Sequence, residues 1–173
     1  ELTAAYFDPT GRYAYGRQPV AAMWAVCRLA DCFVKLVPKS TLEDCLNGFY
    51  PTLESALAKA VQRRLGIVFD TADNERDAML TRHFFTAAKA SDHRFDQIFH
   101  DLYGGVPRCA GYEDDVWMPF IEIASGARLV HPNALQHSHF KRVHAVSLTI
   151  DEVEALWAPI AEEDDWQPFA EKI

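Results

Sequence analysis

The sequence predicts an all-α fold, an irregular multi-helix bundle, and three observations carry that prediction. Apolar residues recur at three- and four-residue spacing through most of the 173 residues. No segment alternates apolar and polar residues well enough to read as a strand. Eleven Phe, six Tyr and four Trp within a 49% hydrophobic chain supply ample material for a core. The length suits one helical domain over residues 1–173.

Residues 1–18 read as an ordered loop, because Asp8-Pro9-Thr10-Gly11 is turn chemistry and Arg12-Tyr13-Ala14-Tyr15 adds aromatic anchors. Pro19 suits a first helical position. Val20, Met23, Trp24, Cys27, Ala30 and Val34 then keep helical spacing up to Pro38. Ser40 with Glu43 has capping-box spacing and starts a second helix, which Pro51 interrupts or kinks. Leu53, Leu57, Ala60, Val61 and Leu65 continue it to a C-terminal stop at Gly66. A third helix covers about 74–90, with Met79, Leu80, Phe84 and Ala87 inward. Ser91 or Asp92 caps a fourth, whose stripe is Phe95, Ile98, Phe99 and Leu102 before Gly104-Gly105. A fifth runs from about 114 to 125 through Val116, Trp117, Phe120, Ile121 and Ala124. Residues 126–147 hold no sustained period and read as an irregular but packed connection. Thr149 and Glu152 form a second capping box ahead of Val153, Leu156 and Trp157, with Trp166, Phe169 and Ile173 after Pro159.

Charge and composition exclude several function classes. Residues 151–173 hold eight acids and one base, so most of the net −8 sits there and the rest of the chain is nearly neutral. A nucleic-acid partner would require a basic stripe, which is lacking. No run approaches the ~18 apolar residues of a membrane span. Cys27, Cys32, Cys45 and Cys109 show no CxxC spacing, so they read as reduced thiols in a cytoplasmic protein.

Two constellations stand out as candidate sites. His131, His137, His139 and His144 fall within fourteen residues and offer imidazoles to zinc. No Cys or paired carboxylate completes a ligand set there, and surface histidines are the plainer reading. Asp114-Asp115 and Glu162–Asp165 read as a helix-start charge pair and a solvated turn. The loop Gly11-Arg12-Tyr13-Ala14-Tyr15-Gly16-Arg17-Gln18-Pro19 places two guanidinium groups and two phenols just ahead of a helix. Such groups could hold phosphate or carboxylate, or simply pin the loop.

That loop, with Ala4-Ala5-Tyr6-Phe7-Asp8 before it, resembles the aspartate, turn, GRYAYxxQP segment of the selenoprotein O (YdiU) family of pseudokinase-fold protein adenylyltransferases. Trp24 and Leu29-Ala30 continue the resemblance, as do Arg64-Leu65-Gly66, Phe95-Asp96-Gln97-Ile98-Phe99 with Gly104-Gly105, Thr149-Ile150-Asp151-Glu152-Val153-Glu154-Ala155-Leu156-Trp157 and Asp164-Asp165-Trp166. The resemblance implies the C-terminal helical lobe of a kinase-like, bilobal protein two to three times this length. Members transfer AMP from ATP to protein hydroxyls with magnesium. Their nucleotide-binding lobe and catalytic motifs lie ahead of the GRYAYxxQP segment, and none has a counterpart here. The resemblance therefore implies no catalytic residue and no bound cofactor in this chain, with the missing N-terminal nucleotide-binding lobe as its partner and protein substrates for the full-length enzyme. Arg12, Tyr13, Arg17 and Gln18 would border the active cleft. The competing expectations are a free-standing α-helical interaction or scaffold module without catalysis, and a zinc hydrolase built on the four histidines.

Overall fold

The computed structural model describes residues 8–146 and 149–172. The fold is mostly helical, as the spacing predicts. A 3-10 turn at Tyr15–Arg17 leads into α1 (Gln18–Phe33), α2 (Lys39–Asn47), α3 (Phe49–Leu65), α4 (Asn74–Ala90), α5 (Phe95–Asp101), α6 (Met118–Ala124), α7 (Ser138–Lys141), α8 (Ile150–Glu163) and α9 (Gln167–Lys172). Two-residue strands β1 (Ile67–Val68) and β2 (Arg128–Leu129) pair antiparallel, Ile67 opposite Leu129. The sequence reading has no strand, because two residues are too few to show alternation. Contacts divide the chain into two compact units, the residues to Gln62 with Thr71–Arg82, and Arg63–Asp70 with the residues from His83 on.

In the first unit, α1 begins at Gln18 with Pro19 in its first turn, where a missing N–H costs nothing. It ends at Phe33, ahead of the expected stop at Pro38. The expected inward stripe is not inward: Val20, Trp24 and Val34 are exposed, and no residue of α1 is buried. Helix α2 starts one residue before Ser40, so Ser40 lies inside the first turn and the predicted capping box does not form. Gly48 then separates α2 from α3, and Pro51 sits harmlessly in the first turn of α3 rather than kinking a longer helix. Asp73 caps α4, its Oδ1 accepting from the N–H groups of Glu75 and Arg76 at 3.0 Å each.

The second unit holds a dense aromatic core. Phe84 of α4 is fully buried, with ring centroids of Phe99, Phe120 and Trp117 at 4.7, 5.5 and 6.4 Å. Ala87, Ile98, Leu102 and Ala124 of the same apolar stripes are buried too. The Arg64 guanidinium lies 4.1 Å from the Phe99 ring centroid, a cation–π contact. Gly66 ends α3 at φ +66, where the Tyr103 ring presses so close that a Cβ would collide with it. Its neighbours then bind in two directions: Leu65 C=O accepts from Gly104 N–H at 2.8 Å, and Gly66 C=O from Val130 N–H at 2.9 Å.

Other local expectations shift by a few residues. Arg94 is the N-cap of α5, while Ser91 Oγ instead accepts from the His93 N–H at 2.9 Å. Helix α6 is shorter than predicted, because residues 114–117 form a turn closed by Trp117 N–H to Asp114 C=O. Thr149 is the N-cap of α8, but its hydroxyl makes no capping bond; its carbonyl accepts from Val153 N–H. Residues 126–147 are irregular as far as they are described, with β2, a 3-10 turn at Ala134–Gln136 and α7. The part of the resemblance carried by Ala4-Ala5-Tyr6-Phe7, and the inward expectation for Ile173, lie outside the described residues.

Candidate functional site

Asp8 organises the loop that the sequence singles out. Its carbonyl accepts from Gly11 N–H at 3.1 Å, and Gly11 turns the chain at φ +64. Its carboxylate oxygens then take the next two amides, Arg12 N–H at 2.7 Å and Tyr13 N–H at 2.8 Å. Three successive bonds from one residue leave the backbone little freedom. The Arg17 guanidinium donates to Thr10 C=O at 3.2 Å, tying the far end of the loop to its start. The outcome is a fixed turn whose side chains Arg12, Tyr13, Arg17 and Gln18 all reach solvent, with Tyr15 beside them. The structure therefore brings the four predicted cleft-bordering residues onto one short, pinned segment. Asp8 is what pins this segment, and an Asp three residues before Gly-Arg is the local signal for it.

Replacing Asp8 with alanine leaves the Arg12 and Tyr13 amides without their acceptor. By the scale of lost capping bonds, opening of the loop is expected to become about tenfold easier. Trypsin cleavage after Arg12 and Arg17, followed by mass spectrometry, reads this directly: cleavage about tenfold faster is expected, with unfolding of the remainder unchanged.

The second unit contains a buried polar network that spacing does not reveal. The Asp101 carboxylate accepts from Gln97 Nε2 at 2.7 Å, from Tyr112 Oη at 2.9 Å and from His100 Nδ1 at 3.0 Å. His100 Nε2 lies 3.1 Å from the His139 carbonyl oxygen. Arg108 binds the His100 carbonyl and donates to Phe140 C=O at 2.9 Å. Gln97 also donates to Val143 C=O at 3.1 Å and accepts from Ala145 N–H at 2.9 Å. Three side chains, Gln97 and His100 of α5 and Arg108 of the following loop, thus hold residues 139–145, whose last part lies beyond the end of α7 at Lys141. The adjacent pair His100-Asp101 at the end of an amphipathic helix is the sole local hint. Arg108, Tyr112 and His139 join it through the tertiary fold.

Burial raises the Asp101 carboxyl, but the bonds from His100, Tyr112, Gln97 and Cys109 outweigh it and hold the group below the ordinary carboxylate value. The same environment pushes Tyr112 and Cys109 up, in each case through burial first, then the hydrogen bond to Asp101 and its charge. His139 is held below the ordinary histidine value by burial, followed by the charges of His100, His137, Arg142 and Arg108.

The four sequence-predicted metal candidates do not converge. His137 Nδ1 accepts from the His139 N–H at 3.2 Å, and the His139 ring meets His100 edge to face at 5.1 Å. His131 and His144 are exposed. Among the described residues, no three His, Cys, Asp or Glu side chains gather into a group that could hold a metal ion. Nor is any described helix long and apolar enough to cross a membrane.

Comparison with known proteins adds a consistent set of matches. The family model described as Protein adenylyltransferase SelO matches residues 1–173. A Protein nucleotidyltransferase YdiU of Synechocystis sp. is 23% identical over 188 residues, covering 98% of this chain and 39% of the relative. Its namesake from Bradyrhizobium sp. is 27% identical over 192 residues, covering 95% and 36%. That of Rhodopseudomonas palustris reaches 32% over 101 residues, covering 55% and 20%. The chain thus spans about two fifths of the length of the curated relatives that it matches end to end. No solved structure matches it.

Proposed function

Because the chain belongs to the protein adenylyltransferase SelO family, we propose that it forms the C-terminal helical lobe of a pseudokinase-fold enzyme that transfers AMP from ATP to protein hydroxyls. The observation that carries this reading is the family match along the whole chain, combined with a span of only 39% and 36% of the Synechocystis and Bradyrhizobium relatives. The remaining length of such a protein is where the nucleotide-binding lobe and the catalytic acid and metal ligands belong.

The division of labour follows from the residues present. In the complete enzyme, magnesium would offset the charge of the phosphates and positioning would supply most of the rate. The family resemblance assigns that ion's ligands to the rest of the enzyme. What this chain contributes is the pinned loop from Asp8 to Gln18, where exposed Arg12 and Arg17 offer fixed positive charge at the edge of the cleft. The aromatic core of the second unit and the Asp101 network give the lobe its rigidity. ATP and magnesium are cofactors of the complete cytoplasmic enzyme, and proteins are its substrates.

Titration calorimetry with magnesium and ATP tests the assignment. Residues 1–173 alone are expected to show no saturable heat up to millimolar ATP, whereas the complete gene product binds. Tight nucleotide binding by residues 1–173 would contradict it.

A further inference from the structure

Helix α1 is apolar on every side: Arg28 and Asp31 are its charged residues, and they pair with each other at 3.0 Å. A helix of that composition belongs in an interior, yet none of its residues is buried. It packs on α2, and Met23, Cys27 and Ala30 are half-buried. On a different face, Ala22, Val26, Leu29 and Phe33 follow one another at steps of four, three and four residues, and all four are exposed, Leu29 by 58%. That 3.5-residue rhythm is the seam of a helix that packs lengthwise on another helix.

We infer that the Ala22–Val26–Leu29–Phe33 seam is the docking face for a helix from the rest of the same polypeptide. This rests on the proposed function, since it takes its occupant from the part of the enzyme outside this chain. Two observations select that occupant. The matched relatives are about two and a half times as long as the stretch they share with this chain, so ample polypeptide exists to cover the seam. The seam itself carries no charged residue, and the Arg28–Asp31 pair satisfies itself. Permanent interfaces are apolar in this way, whereas separable partners meet across a polar rim. A membrane-surface helix would instead carry unpaired Lys and Arg.

Leu29→Glu places a charge on the seam and separates the possibilities. Thermal unfolding is followed for residues 1–173 and for the complete gene product, each with and without the substitution. In residues 1–173, where Leu29 faces water, Tm is expected to move by less than about 2 °C. In the complete gene product it is expected to fall by about 5 °C or more, and Leu29→Ala to give a smaller fall of the same sign. A complete product that no longer folds with Leu29→Glu, while residues 1–173 carrying it fold normally, supports the seam equally. The same small shift in both proteins overturns it. A dimer of residues 1–173 that Leu29→Glu dissolves, without a larger shift in the complete product, gives the face to a second copy and also overturns it. AMP transfer by the unsubstituted complete product reads the enzymatic assignment separately. Transfer without a Leu29 effect removes the seam alone, and a Leu29 effect without transfer removes the activity alone.

Discussion

Phe84→Ala is expected to destabilise the second unit by about 3–5 kcal/mol, the range for emptying a large aromatic from a packed core. Phe84 is fully buried and lies within aromatic contact distance of Phe85, Phe95, Phe99, Trp117 and Phe120, which come from three helices and the turn before α6. Rings packed edge to face do not collapse readily into a vacated space, because each is held by its own neighbours: Trp117 also meets Tyr112 at 5.1 Å, and Phe95 meets Phe99 at 5.1 Å. Urea unfolding monitored by tryptophan fluorescence gives the loss as a lowered midpoint at constant slope. A cost below about 1 kcal/mol would mean that Phe84 is not the keystone of this core.

Asp101→Ala is expected to cost about 3 kcal/mol through a different mechanism. It deletes the shared acceptor of Gln97, His100 and Tyr112 and leaves buried donors without a partner, which is costlier than never having built the network. The pH dependence has a definite sign. The folded-state pKa of Asp101 lies below its unfolded value, so ionised Asp101 contributes stability that is fully present above the ordinary carboxylate range. That contribution is lost as pH falls through the lower folded value. His139, also lowered on folding, acts in the same direction at higher pH: stability falls as pH drops below the ordinary histidine range. The wild type should therefore lose stability in two steps on acidification, near pH 6 and again below about pH 4. Asp101→Asn should shrink the lower step, to which Glu113 also contributes through its bond from the Gly111 N–H, and leave the upper one. Hydrogen exchange of residues 139–145 reports whether the segment is released together with the network.

Much of the second unit is legible in the sequence because local pattern and tertiary role coincide there. Phe84 and Ala87, then Ile98, Phe99 and Leu102, then Trp117, Phe120 and Ala124 are apolar at helical spacing and are buried. Gly66 stops α3 where its φ of +66 requires a residue without a Cβ. Helix α1 shows the limit of the same reasoning. Its periodicity says which residues are apolar, not whether anything covers them, and Trp24 is 66% exposed. Helix boundaries differ from the sequence expectation where two signals compete. A proline at position 38 lets α2 begin one residue before the capping-box serine, and Gly48 rather than Pro51 divides the following run. The turn at Gly11 is legible, since Asp8-Pro9-Thr10-Gly11 is turn chemistry and Gly11 takes φ +64. The Asp101 network is not, because its members lie up to 48 residues apart and meet only after folding.

We propose that these 173 residues are the helical lobe of an adenylyltransferase whose nucleotide chemistry resides in the rest of the polypeptide. Transfer of radiolabel from α-phosphate-labelled ATP onto protein tests it most directly, with the complete gene product and residues 1–173 assayed side by side in magnesium. Label on protein with the complete product and none with residues 1–173 is the predicted result. Equal transfer by both, or none by the complete product, would contradict it.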